Sequence, residues 1–228
     1  MCNEAVLEFF VEKARPEEFS GKRILEVGSR YVNGSVRPFI ERFLSPKEYV
    51  GVDIEPGKFV DLILPAEKLV DYLRPESFDV VIATELLEHV RDWRTVVSNM
   101  KSVLKRGGHM YITTRSKGFL YHGYPSDYWR FDPNDMRRIF MDFEIIDLEK
   151  DSTAPGVLAK VRKPEDYVLA DLSDVSLYSI VLGRRTRHIP TNRDALLTRR
   201  LMFRLSSSRT TQRVSPGILM SRIKRATA

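Results

Sequence analysis

A single cysteine, Cys2, stands in a chain of 228 residues. That excludes a disulfide framework and any cysteine-rich zinc site. The four histidines (His89, His109, His122, His188) show no HExxH pattern and no other close metal spacing, so no metal is expected. No apolar run reaches the roughly 18 residues of a membrane-spanning helix. An acid appears by residue 4, unlike the basic start of a signal peptide. A soluble, cytoplasmic protein is therefore the default expectation. The G-x-G-x-x-G phosphate turn of dinucleotide-binding proteins is also missing: Gly28 is followed by Ser-Arg-Tyr-Val-Asn before Gly34. That argues against a nicotinamide dehydrogenase.

Hydrophobic residues make up 43% and charged ones 30%, enough for a packed core and too apolar for wholesale disorder. The net charge of +6 is unevenly placed. Residues 183–228 hold 12 Lys and Arg against one acid, Asp194, so the preceding body has 25 basic and 30 acidic side chains. The basic character belongs to the tail and says little about a site in the body.

Apolar periodicity and breakers divide the chain into alternating elements. Residues 4–14 suit an amphipathic helix that Pro16 ends. Strands are expected at 23–27, 49–53, 59–64, 78–83 and 109–114. Helices are expected from Ser35 to Phe43, from Ala66 to Leu73, over 92–104 (stopped by Gly107-Gly108), and over 132–140 with Asp132 as cap and Pro133 in the first turn. The continuous apolar run Phe78-Asp-Val-Val-Ile-Ala83 marks a central parallel strand buried on both faces. Two final strands, 143–148 and 157–161, lack a helix between them and should form an antiparallel hairpin around Pro155-Gly156. The fold class is α/β: a Rossmann-like, doubly wound, mostly parallel seven-stranded sheet with a C-terminal antiparallel hairpin. Val175 to Leu182 suits a further strand or a packing segment.

The first strand, its glycine-bearing bend, a helix and a second strand ending in Asp53 describe a nucleoside-binding βαβ unit. The bend is too long and bulky for a pyrophosphate, but it suits an amino-acid tail. Leu25-Glu-Val-Gly-Ser29, Val50-Gly-Val-Asp53, Phe78-Asp-Val-Val-Ile-Ala-Thr-Glu-Leu-Leu-Glu-His-Val90 and Leu104-Lys-Arg-Gly-Gly108 occur in that order. Together they resemble a class I S-adenosylmethionine-dependent methyltransferase of the broad type 11 group, over residues 20–165. The resemblance implies S-adenosylmethionine as cofactor and a methyl acceptor that is a small molecule or glycan-like. It implies Glu26 near the methionine amino group, with Gly28, Ser29 and Gly34 around the methionine tail. Asp53 would hold the ribose hydroxyls, and Ile54 would lie on the adenine. Ala66 and Glu67 would border the adenine edge, where Pro65 replaces an Asp common in the group. Thr84, Glu85 and Leu86 would close the floor near the sulfonium.

The segment Ser116–Phe131 follows the fifth strand and gathers polar and aromatic side chains into one loop, a pattern that favours function. It offers His122, Tyr124 and Asp127 as candidate catalytic groups, with His89 beyond the fourth strand. Trp129 and Phe131 are expected to pack the loop down, with Asp127 and Arg130 as its internal clasp. Domain organisation follows: a methyltransferase domain over 1–165 with an opening helical segment over 1–20, then a basic extension over 166–228. That extension would pack on the body or on a partner subunit, as in a homodimer, or bind an anionic partner such as RNA or a membrane surface. An RNA or protein methyltransferase, or a non-catalytic cofactor-binding subunit, are the competing readings.

Overall fold

The computed structural model describes residues 3–122, 126–194 and 196. Helix α1 (Glu4–Lys13) starts at Asn3, whose side chain accepts from the Val6 N–H at 3.0 Å. Pro16, expected only to end a helix, opens a second short one, α2 (Pro16–Phe19). Its fixed φ suits a first turn, and its missing N–H is no loss there.

Strand β1 (Arg23–Val27) leads through the glycine bend to α3 (Arg37–Phe43), then β2 (Glu48–Asp53) and a short β3 (Leu62–Ile63). Ser35 lies outside α3, although its hydroxyl still accepts from the Arg37 N–H at 3.1 Å. The third strand is shorter than its apolar pattern suggests because Phe59 has a φ of 72°, outside the extended region. A 3-10 turn over Ala66–Lys68 precedes α4 (Leu69–Tyr72) and β4 (Phe78–Thr84). Helix α5 (Trp93–Val103) is capped by Asp92, which accepts from the Thr95 N–H. It passes directly into β5 (Leu104–Arg115), so Gly107 and Gly108 lie inside that strand rather than at a helix end. Gly107 has a φ of 72°, in the irregular stretch between the Phe78–Leu104 and Val80–His109 pairings. Then come β6 (Trp129–Arg130), α6 (Pro133–Ile139), β7 (Glu144–Lys150), β8 (Gly156–Arg162), β9 (Leu177–Ser179) and β10 (Arg184–Thr186).

Seven strands form one sheet in the order β3-β2-β1-β4-β5-β8-β7. The first five are parallel; β8 pairs antiparallel with both β5 and β7. The alternation of β4 explains the two-sided core. Val80 and Ile82 face a cluster with Val6, Phe10, Phe19, Ile40 and Tyr111; Val81 and Ala83 face another with Trp93, Val97, Met100 and Ile112. A separate three-stranded sheet, β10-β9-β6, includes as β9 the further strand expected within Val175 to Leu182. Its other strands, β6 and β10, are two or three residues long, below what alternation can signal. Leu172, Val175 and Leu177 join the core cluster of the domain, so the chain beyond 165 is continuous with the body at these positions. The more distal part of the basic extension lies outside the described residues. No helix among the described residues is long and apolar enough to cross a membrane.

Candidate active site

The sheet order reverses between β1 and β4, and loops leaving the carboxyl ends of the parallel strands part there. Open α/β sheets bind ligands in such a crevice. A cavity of about 310 Å³ occupies it. Its walls come from every loop at that edge: Gly28 and Arg30 after β1, Asp53 to Glu55 at β2, Ala66 and Glu67 after β3, Glu85, Leu86 and His89 after β4, and His122, Ser126 and Tyr128 after β5.

Gly28 makes the bend possible. Its φ is 79°, and a Cβ there would stand 3.0 Å from Leu86 Cδ1. Only glycine takes that conformation at no steric cost. Asp53 lines the same cavity from the tip of the neighbouring strand β2. Its Oδ2 accepts from the Arg30 N–H at 3.1 Å and its Oδ1 from the Glu55 N–H at 3.2 Å. A carboxylate offers about four lone-pair sites, so accepting capacity remains. Ile54 is half exposed beside it and lines the wall.

Four of the expected cofactor residues do not line the cavity. Glu26 is buried on the α3 side of β1 and accepts from the Tyr49 hydroxyl at 2.8 Å. Burial pushes its carboxyl up to about 7, against that hydrogen bond. Ser29 is buried, and its Oγ would stand 2.6 Å from a Cβ placed on Gly51. Thr84 is buried within the end of β4, and Gly34 lies further round the bend. Gly28, Asp53, Ile54, Ala66, Glu67, Glu85 and Leu86 do meet at the cavity.

The exit from β4 is tightly held. Glu85 has a φ of 52°, unusual for a non-glycine residue and characteristic of functional turns. Its N–H donates to the Thr113 carbonyl at 2.9 Å, its Oε1 accepts from the Thr113 hydroxyl at 2.9 Å, and its Oε2 pairs with Arg115. Arg115 also pairs with Asp151 at 3.0 Å. Burial, with the nearby Glu88 charge adding, raises Glu85 to about 7 despite Arg115. Glu88 is fully buried. Its Oε2 accepts from the Thr114 hydroxyl at 2.9 Å, and burial raises its pKa. It does not pair with Arg91 or Arg94. Arg91 donates to Asn192 Oδ1, and Arg94 donates to the carbonyls of Leu172 and Val175.

His89 and His122 form the polar end of the cavity, with ring centroids 4.8 Å apart. His89 Nδ1 is 2.7 Å from the Ser126 carbonyl, and burial lowers its pKa. Asp127, expected as a possible base, does not reach the cavity. It is fully buried and bridges both Arg130 guanidinium nitrogens, with Arg130 Nη2 at 2.7 Å. Burial would raise its pKa, but the bonds from Arg130 and His122 carry it down to about 2. A carboxylate so held is a poor proton acceptor. It faces His122 instead: Oδ2 accepts from the His122 N–H at 3.0 Å and lies 2.9 Å from Nδ1. Tyr124 lies outside the described residues.

The family model described as "Methyltransferase domain" matches residues 3–148. The chain belongs to that family. Its members of this class are S-adenosylmethionine-dependent class I methyltransferases. Among curated relatives, the ubiquinone biosynthesis O-methyltransferase of Vibrio atlanticus (strain LGP32) is 29% identical over 126 residues, covering 51% of this chain and 52% of that one. The phthiotriol/phenolphthiotriol dimycocerosates methyltransferase of Mycobacterium leprae (strain TN) is 29% identical over 119 residues, covering 47% and 43%. The chain thus spans about half the length of the curated relatives it matches. Among solved structures, the 1,6-didemethyltoxoflavin-N1-methyltransferase of Burkholderia thailandensis, bound to S-adenosylhomocysteine, superposes with a TM-score of 0.52 at 13% identity, covering 71% of this chain and 77% of that one. The [4+2]-cyclase SpnF superposes at 0.55 with 16% identity, covering 70% and 80%. At these identities the likeness is one of fold.

For a methyltransferase of this class, the sequence reading overlooked two sets of cavity residues. Arg30, Val32 and Glu55 come from loops whose side-chain directions no pattern encodes. Tyr128 and Ser126 reach the cavity because β6 pins the end of the aromatic loop: the Tyr128 N–H donates to the Glu88 carbonyl at 2.8 Å. That contact joins residues 40 positions apart and leaves no local signal.

Proposed function

We propose that this chain transfers a methyl group from S-adenosylmethionine to the hydroxyl of a small-molecule acceptor. The observation that carries the reading is the polarity of one cavity. Gly28 and Asp53 line it from the ends of the neighbouring strands β1 and β2, and Leu86, His89 and His122 from the loops after β4 and β5, on the other side of the point where the strand order reverses.

The donor set fits the cofactor. Gly28 leaves room where a Cβ would meet Leu86, so backbone can approach an amino-acid tail. Asp53 keeps accepting capacity for two vicinal hydroxyls beside the exposed face of Ile54. Glu67 and nearby backbone carbonyls stand where an adenine edge would need acceptors; the Ala66 and Glu67 carbonyls already accept from Asn99. Nothing in the bend is asked to bind phosphate.

When bound, the sulfonium supplies an electrophilic methyl group and a neutral leaving group. The protein's own work is then positioning and desolvation. Leu86, Val90 and Tyr128 supply apolar wall for the acceptor body. Its hydroxyl would lie against His89 and His122, where its proton must leave as the carbon–oxygen bond forms. The hydroxyl assignment draws on the curated relatives, several of which are named as O-methyltransferases. The test is transfer of labelled methyl from S-adenosylmethionine into a panel of phenols, catechols and aliphatic alcohols, alongside metabolite extracts. Label in an ether product supports the reading. Binding of S-adenosylhomocysteine with no transfer to any acceptor would leave a binding subunit in its place.

A further inference from the structure

Beside His89 and His122, which line the cavity, lies the buried Glu88, and the three bring coordinating atoms together. One ligand atom from each of Glu88, His89 and His122 lies within 4.8 Å of the others. Glu88 is fully buried, yet its Oε1 has no hydrogen-bond partner. A buried carboxylate oxygen left bare costs free energy, which calls for a ligand. His122 Nε2 is likewise buried without a partner, 3.9 Å from Glu88 Oε1.

The surroundings orient all three. Thr114 takes Glu88 Oε2, leaving Oε1 turned inward. Nδ1 of His89 lies at the Ser126 carbonyl, which fixes the proton there and frees Nε2. Nδ1 of His122 faces Asp127, itself anchored by Arg130. An imidazole backed by a carboxylate or a carbonyl is how metal-binding histidines are held in one tautomer. Metal–ligand bonds of about 2.0–2.2 Å put neighbouring donor atoms about 3.4 Å apart in a tetrahedral site. The present spacings, 3.9 Å between His122 Nε2 and Glu88 Oε1 and up to 4.8 Å across the group, are wider than that value.

We propose that Glu88, His89 and His122 form a site for a divalent first-row transition cation. Two imidazoles and one carboxylate favour zinc, manganese, cobalt or iron over calcium or magnesium. The inference rests on the methyltransferase reading for its purpose, though not for its existence. In that setting a bound cation would take the acceptor hydroxyl as a further ligand. A coordinated hydroxyl loses its proton to water at the cavity mouth. The resulting oxyanion bonds to the methyl carbon while the carbon–sulfur bond breaks, its electron pair returning to sulfur. No oxidant or reductant is needed. No local spacing signals the site, because His122 lies 33 residues beyond the adjacent pair Glu88-His89.

The test uses the full chain, stripped with a chelator and dialysed. Cobalt(II) is titrated while visible absorption is followed, and zinc is titrated by calorimetry. One equivalent per chain is expected, with a cobalt d–d band. Glu88→Gln, which keeps the bond from Thr114, and His122→Ala should each weaken zinc binding at least tenfold. His109→Ala, remote from the cavity, should bind as wild type. Absence of stoichiometric binding, or equal affinity in Glu88→Gln and His122→Ala, overturns the site. S-adenosylhomocysteine affinity is measured on the same samples: if it persists while zinc binding is absent, the metal proposal falls and the methyltransferase reading stands. If zinc binds at the three residues but no methyl transfer occurs, the site stands and that reading falls.

Discussion

The main-chain N–H of Arg30 donates to Asp53 Oδ2 at 3.1 Å, tying the bend after β1 to the tip of β2. The two pieces of the expected nucleoside site are thus one mechanical unit. Asp53→Ala removes the ribose acceptor and the tie together. Hydrogen bonds to a charged group contribute about 1.5–3 kcal/mol each, so S-adenosylhomocysteine binding should weaken at least tenfold by calorimetry. Unchanged affinity would refute the ribose role.

Gly28 gives a second handle on the same unit. A methyl group there meets Leu86 Cδ1 at 3.0 Å, and the backbone must keep a φ of 79°. Gly28→Ala should lower stability by about 1–2 kcal/mol through the left-handed backbone alone. It should weaken cofactor binding further by displacing Leu86. Urea melts and calorimetry on one preparation separate the two effects. A variant that melts as wild type would show that the bend tolerates a side chain.

Much of this was written locally, and some was not. The five parallel strands and the final hairpin announce themselves because apolar runs and alternation are short-range consequences of burial. Gly28 and Asp53 are legible for the same reason, since one follows β1 directly and the other ends β2. Asp127 is legible both as a candidate catalytic group and as the clasp partner of Arg130, and the structure forms the clasp. Glu26 was expected at the cofactor, but the pleat turns it toward Tyr49. Glu88 carries no local sign of its partners, because only the fold brings Thr114 and His122 to it.

His122 should matter for turnover and little for the cofactor. It lines the cavity from the loop after β5, beside Glu88 and Asp127, whereas Asp53 lines it from β2. His122→Ala is expected to lower kcat at least tenfold and to leave S-adenosylhomocysteine affinity within twofold. Activity equal to wild type would move the chemistry elsewhere in the loop.

Burial of Glu26 makes the fold lose stability as pH rises from acid toward neutral. Its pKa rises from 4.5 to about 7 in the folded chain. The folded state therefore holds an extra proton between those values, and stability falls as pH climbs through that window. The full shift corresponds to about 3 kcal/mol at most. Glu85, also raised to about 7, adds a slope of the same sign. Glu26→Gln keeps an acceptor for the Tyr49 hydroxyl and removes one titration. Urea denaturation at pH 4.5 and 7.5 should show a smaller loss in Glu26→Gln than in wild type; equal losses would mean that Glu26 is ionised in the fold.

Asp127 acts in the opposite direction. Its pKa falls from 3.8 to about 2, so its contribution is present above the higher value and is lost as pH falls through the lower one. Asp127→Asn leaves Arg130 buried without its charge partner, a change that typically costs about 3–5 kcal/mol. The variant should be less stable at pH 7, and its acid unfolding between pH 4 and 2 should be shallower than wild type, as followed by circular dichroism. It should also lower kcat, because His122 loses the group that faces its Nδ1. Full stability at pH 7 would show that Arg130 is held by its bonds to the carbonyls of Phe119, Leu120 and Trp129, and that the carboxylate contributes nothing net to the clasp.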